Sequence, residues 1–296
     1  MDTVTTPTFD RSQEDLGNIV ELGHVNVRVP DQSKAVAYYI MGLGLTRDPY
    51  LMAGLDNMWV NVGRGQFHLP TRGTDVVRGT TGLVMPDLEA LMRRLTNAKP
   101  YLEGTKFSFR EAGDTVETTC PWGNRIRVHA PNVEKFGPMR VGMPYVECDI
   151  AAGTNLAAIA KFYTDILGGI AGVSSDERGP YAWVSTSAES KVTFRESKEP
   201  LPEYDAHHIQ ITLADFSGPH KKLLERGLIS EESDQHQYRF LDIVDVDTNK
   251  PLHRIEHETR SMRHPMFNRV FVNRNPDMTN RNFIPGYEVG LFAMPA

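Results

Sequence analysis

The sequence predicts an α+β chain of four consecutive βαβββ repeats, and three observations predict it. An alternating apolar–polar strand, a short acidic or proline turn and an amphipathic helix recur four times along the 296 residues. Pro-Asp pairs follow the first strand in two copies, at Pro30-Asp31 and Pro86-Asp87. A histidine opens the first strand in two copies, His24 seven residues before Asp31 and His208 seven before Asp215.

The first copy begins with HVNVRVPD (24–31), in which Val25, Val27 and Val29 face one side and His24, Asn26 and Arg28 the other. A helix over 33–45 follows, with a serine near its start and glycines at its end, and it should cover the valine face. Strands are expected at 45–52, 58–62 and 66–69. The second copy opens at 80–95, which places Thr80 opposite His24, and it closes on CPWGN, read as a tight turn, before a strand in which Arg125 and Arg127 share a face. Residues 132–142, mixed in charge and carrying a Gly-Pro pair, make the most plausible boundary between domains at 19–135 and 143–262.

In the third copy, PYVECDI (144–150) precedes a helix over 156–169 and sets Tyr145 opposite His24. In the fourth, HHIQITLADF (207–216) leads to a closing turn and strand over 245–261. Residues 1–18 lack an apolar run and read as a flexible arm. The tail, 263–296, rich in Pro, Asn and Arg, reads as an irregular wrap or an oligomer contact, so a homo-oligomer is among the expectations.

Composition excludes several classes. Thirty-two Lys and Arg against 38 Asp and Glu give a net charge of −6 without a basic block, which argues against nucleic acid or a polybasic membrane patch as partner. No stretch approaches the roughly 20 apolar residues of a membrane helix. Two cysteines without CxxC spacing suggest neither a disulfide framework nor a thiolate zinc site. A cytoplasmic protein with a small-molecule substrate is the expectation.

Four βαβββ copies with a histidine opening the first strand resemble the vicinal-oxygen-chelate (VOC) superfamily, which includes glyoxalase I, fosfomycin-resistance proteins and extradiol dioxygenases. The resemblance covers roughly residues 20 to 260. It implies two domains with curved mixed sheets, each made by two repeats, and metal ligands at the start of the first strand and on the inner face of the last strand of each repeat. Those positions map to His24, Thr80, Tyr145 and His208, and to His68, Arg127, approximately Thr193 and Glu256. Pairing neighbouring repeats yields no convincing site. Pairing the first repeat with the fourth collects His24, His68, His208 and Glu256 in one cup and leaves the other without ligands. As the resemblance implies, para-diol cleaving members use this outer pairing.

A lone histidine on a strand is more often a hydrogen-bonded residue than a ligand. Two at matching positions of two repeats, with a glutamate on the last strand, favour metal. His24, His208 and Glu256 are therefore the expected ligands, with His68 a fourth ligand or an acid–base group and Glu256 also a proton carrier. Asn26, Gln210 and Arg254 share the polar face and are expected to contact substrate. Two histidines and one carboxylate with open positions are the pattern of non-haem Fe(II), although imidazole also suits Mn, Co, Ni or Zn. The leading expectation is an extradiol-type ring-cleaving dioxygenase acting on a small diol or phenol. A glyoxalase-like lyase or isomerase with four protein ligands, and a small-molecule-binding resistance protein, are the alternatives.

Overall fold

The computed structural model describes residues 9–51 and 56–273. The first repeat supplies β1 (Ile19–Asn26), β2 (Thr46–Arg47), β3 (Asn57–Val62) and β4 (Gly65–Pro70). The second supplies β5 (Gly79–Val84), β6 (Ser108–Ala112), β7 (Thr115–Thr119) and β8 (Arg125–His129), and the third β9 (Gly142–Ile150), β10 (Ala171–Asp176), β11 (Gly179–Ser185) and β12 (Lys191–Glu196). The fourth gives β13 (His208–Leu213), β14 (Ile229–Asp234), β15 (Gln237–Val244) and β16 (Pro251–Ser261). The order is the one the repeats predict.

Two eight-stranded mixed sheets result, ordered β14-β15-β16-β13-β1-β4-β3-β2 and β10-β11-β12-β9-β5-β8-β7-β6. The first repeat thus pairs with the fourth, through antiparallel β1 and β13, and the second with the third, through antiparallel β5 and β9. The two sequence halves, 19–135 and 143–262, do not coincide with the sheets. Each half contributes four strands to each sheet.

The helices begin where the short polar turns cap them. Asp31 accepts from the Lys34 amide at the start of α1 (Gln32–Ala35), Asp87 from Ala90 in α2 (Leu88–Ala98), and Asn155 from Ala158 in α4 (Leu156–Asp165). Asn132 caps α3 (Val133–Phe136), a short helix inside the 132–142 linker, and Asp215 accepts from Gly218 at the start of α5 (Ser217–Glu225). The cap of α1 is Asp31 rather than the serine after it. Beyond Ala35 this helix widens to a π-helix over Val36–Gly42, closed by Leu43 N donating to Tyr38 O. The widened turn buries both Tyr38 and Tyr39.

Alternation settles the two faces of the first sheet. Val25, Phe67, Leu69, Ile209, Ile211 and Ile255 join the apolar core, into which the helices also pack; α4 touches β10 and β11 of one sheet and β15 of the other. Burying this face is the main stabilising term, at about 1.5–3 kcal/mol for each large apolar side chain. His24, Asn26, His68, His208 and Gln210 consequently point the other way.

Three local expectations change. The strand expected at 45–52 shortens to Thr46–Arg47, because the buried Asp48 carboxylate turns the chain by accepting from the Tyr50 and Leu51 amides; position 52 lies outside the described residues. Of the N-terminal arm, residues 1–8 lie outside the described residues, most of 9–16 is exposed with local contacts, and Gly17 and Asn18 are held against the fold. Asp10 caps a short 3-10 helix at Arg11–Glu14, and the Asn18 amide donates to Leu167 O and Asp215 O. Of the tail, residues 263–273 run back across the first sheet, as described below, and 274–296 lie outside the described residues. No helix among the described residues is long and apolar enough to cross a membrane.

Candidate metal centre

Three strands bring His24, His208 and Glu258 together. Their ligand atoms all lie within 4.8 Å of one another, and all three side chains are buried. His24 Nε2 stands 3.9 Å from Glu258 Oε1, and His208 Nε2 stands 3.5 Å from Glu258 Oε2. Neither Nε2 has a hydrogen-bond partner, and a buried polar nitrogen without one is costly. Two orphaned imidazole nitrogens facing one carboxylate fit a divalent cation.

The carboxylate is not the one the sequence count selected. In the parallel pair of β13 and β16, His208 lies opposite Glu256 and Gln210 opposite Glu258; in β1 and β4, His24 lies opposite Gln66 and Asn26 opposite His68. Glu258 is therefore the structural counterpart of His68, and Glu256 that of Gln66. Glu256 and Glu258 share a face, so alternation cannot separate them. Only the strand register does. Glu256 Oε1 instead lies 3.2 Å from His208 Nδ1 and pairs with Arg239. A carboxylate at Nδ1 leaves the Nε2 lone pair free for metal, the usual second-sphere arrangement.

Electrostatics prepare the group. Burial lowers the His24 pKa well below its ordinary value, and the Glu258 carboxylate only partly opposes this. Burial alone would raise the Glu258 carboxyl, but His24, His208 and Arg260 together hold it far below the usual carboxylate range. Arg239 Nη2 and Arg260 Nη2 each approach Glu258 at 2.6 Å. These arginines carry no repeat signature, and nothing in the sequence separated them from other strand cations.

His68 stays outside the three-ligand group. Its Nε2 contacts Asn57 Oδ1 at 2.6 Å; an amide oxygen only accepts, so Nε2 carries the proton and the buried Nδ1 is a free lone pair. Its ring stacks on Trp59 at 3.8 Å and meets His24 edge-on, with centroids 5.6 Å apart. Burial, then His208, lowers its pKa to about 3.

Among the expected substrate contacts, Asn26 lies opposite His208 and keeps a buried, unpaired Oδ1. Gln210 lies opposite His24, and its amide donates to Thr212. Its Oε1 occupies the place a Cβ on Gly23 would take, at 1.8 Å, so a side chain at position 23 would displace the Gln210 amide. Arg254 is not at the site. It forms a bidentate pair with Asp242 and is half exposed.

Residues 263–273 cover this face. His264, Met266, Phe267 and Phe271 line the small space beside His24, about 10 Å³, less than one water requires. The strap is tied at its far end: Arg269 to the buried Asp48 at 2.6 Å, Asn61 Nδ2 to Val272 O, and Asn273 to both backbone groups of Gly63. The equivalent positions of the second sheet, Thr80, Tyr145, Arg127 and Thr193, offer no metal set. Glu147 there is held by Arg178 and Arg195.

No protein-family model and no curated protein matches the sequence. Solved structures do match in fold. Glyoxalase I from Zea mays superposes with a TM-score of 0.56 at 14% identity, covering 85% of this chain and 95% of that one. A protein of Bacillus subtilis subsp. subtilis str. 168 named "putative dioxygenase" gives a TM-score of 0.55 at 11% identity, covering 84% and 87%. The chain has the VOC fold, as a two-sheet, four-repeat protein.

Proposed function

We propose that the chain is a divalent-metal enzyme of the extradiol ring-cleaving dioxygenase type, acting on a small diol or phenolic substrate. His24 Nε2, His208 Nε2 and Glu258 would hold the metal. The observation that carries this reading is the convergence of two orphaned imidazole nitrogens and one buried carboxylate from three strands. When bound, a metal in such a site supplies Lewis-acid polarisation of substrate oxygens and, as Fe(II), redox capacity toward O₂.

The chain's own residues supply the rest. Arg260 and Arg239 offset Glu258 and Glu256, so a site holding a dication is cationic and favours an anionic oxygen substrate. Trp59 gives a flat apolar wall beside His68. His68 Nδ1, with its lone pair fixed by the Asn57 contact, is placed to accept a proton from a substrate hydroxyl. The strap excludes water once substrate is bound.

The position of His68 also supports this reading over a lyase or isomerase with four protein ligands, because three ligands leave more open positions. The fold likeness to glyoxalase I keeps the alternative in view, and the designation of the Bacillus subtilis protein agrees with the first. Anaerobic purification, Fe(II) loading and oxygen-electrode assays against catechols and hydroquinones test it. One metal per chain and oxygen uptake equal to substrate consumed are expected. Turnover that proceeds unchanged without oxygen would reject ring cleavage in favour of the isomerase reading.

A further inference from the structure

We infer that the concave face of the second sheet is a metal-independent binding site for a planar organic anion. The two sheets are built alike but used differently. Where the space beside His24 on the first sheet is about 10 Å³, the second sheet borders an open concavity of about 750 Å³, within the range of small-molecule sites. No strap fills it.

Strand register converts the first site into the second position by position. His24 corresponds to Thr80, His208 to Tyr145, His68 to Arg127 and Glu258 to Thr193, since Thr80 lies opposite Glu147 and Arg125, Gly82 opposite Tyr145 and Arg127, and Glu147 opposite Thr193. Every lone-pair position has become a hydroxyl, a phenol or a guanidinium, all of which donate hydrogen bonds. Gly82 belongs to this change: a Cβ there would stand 2.4 Å from the Tyr145 ring, which the glycine lets lie across the sheet.

Charge in the cavity favours an anion. In the lining, five arginines and lysines face four carboxylates; Glu147 is matched by Arg178 and Arg195, and Arg127 also pairs with Glu117 at the edge. The excess is positive. Of the other acids of the lining, Asp176 ends β10 and is tied to Arg195, Glu177 belongs to the turn after β10, and Glu189 to the loop before β12. Arg195 is mostly buried, lies over the Tyr181 ring at 4.7 Å, and keeps a buried Nε without a hydrogen bond. Trp183 and Tyr181 supply flat walls, so a conjugated ring bearing a carboxylate matches both the faces and the donors.

The probe is 2-naphthoate, titrated calorimetrically into the full chain after metal removal with a chelator. Binding at one per chain is expected, weakened at least about tenfold in Arg127→Gln and in Trp183→Leu, the scale of one charge-assisted hydrogen bond or one aromatic wall. The uncharged 2-naphthamide should bind at least about tenfold more weakly, and His208→Ala should leave 2-naphthoate binding unchanged. Lys191→Gln alters an exposed cation of the same wall, so it guards against misfolding of the other variants, and it should weaken binding measurably. Absence of binding, equal binding of the amide, wild-type affinity in both Arg127→Gln and Trp183→Leu, or loss of binding in His208→Ala would each overturn the assignment.

Discussion

Glutamine in place of Glu258 preserves shape and removes one charge from the ligand set, whereas the same change at Glu256 removes a charge one shell out. Glu256 reaches the metal position only through His208 Nδ1, 3.2 Å away. Loss of such an outer partner typically costs about 10- to 100-fold in metal affinity, or roughly 1.4–2.7 kcal/mol. Glu258, whose oxygens stand 3.9 and 3.5 Å from the two imidazole nitrogens, should cost more than about 100-fold when replaced. Glu258→Gln also leaves Arg239 and Arg260 with a neutral partner. Since glutamine still accepts one hydrogen bond, the loss of stability should stay near 1–3 kcal/mol, which thermal unfolding can verify. Competition for Zn²⁺ or Co²⁺ against a chromogenic chelator measures both variants on one scale. A larger loss in Glu256→Gln than in Glu258→Gln would refute the register argument and restore the assignment from sequence count.

Other outcomes follow from the same geometry. His68→Ala should retain the metal, because His68 lies outside the ligand group, while turnover drops by roughly 10²- to 10⁴-fold; a metal-depleted variant would make His68 a ligand. Arg269→Ala strips the buried Asp48 of its ion-pair partner, at a cost of about 3–5 kcal/mol, and should free the strap. Metal extraction by chelator, followed by stopped flow, should then accelerate at least about tenfold, and an unchanged rate in a folded variant would show that the strap does not control access. Burial holds the pKa of His253 at about 3 and that of His129 at about 4, against an ordinary 6.5. The unfolded chain binds these protons first, so the metal-free protein should be most stable above pH 6.5 and lose stability as the pH falls from there toward 3–4. His253 contributes up to about 1.4 kcal/mol per pH unit and the more solvated His129 less. A flat unfolding midpoint between pH 7 and 4.5 would contradict this.

How much of this was legible in the chain depends on whether a signal was periodic or relational. Repeat boundaries were periodic: the spacing from His24 to Asp31 and from His208 to Asp215 places both first-strand histidines, and the Pro-Asp turns mark where α1 and α2 start, although the cap of α1 is Asp31 and not the serine the sequence suggested. The pairing of outer repeats was also legible, because only that grouping gathers competent ligands. What failed was relational. The choice between Glu256 and Glu258 depends on which residues face each other across β13 and β16, and a two-residue shift in that register leaves alternation undisturbed. Arg254 was assigned by face alone, yet Asp242 on the neighbouring strand captures it. Arg239 and Arg260 reach Glu258 from β15 and from further along β16, contacts that no single-strand pattern encodes. The strap was visible only as composition, and its path is set by Asp48, Asn61 and Gly63 near the other end of the chain.

Pairing the first repeat with the fourth has a consequence for how the molecule is made. The sheet that carries His24, His208 and Glu258 is interrupted in sequence by the whole of the other sheet, which can assemble from adjacent repeats while the chain is still emerging from the ribosome. β1 must wait, with its polar edge unpartnered, until β13 has been synthesised, and the strap that seals the site comes later still. High sequence separation makes this closure the slow step, and a completed inner sheet brings the two waiting ends close together and lowers its entropic cost. A chain stalled before β16 would therefore carry the strands of the inner sheet while still lacking Glu258.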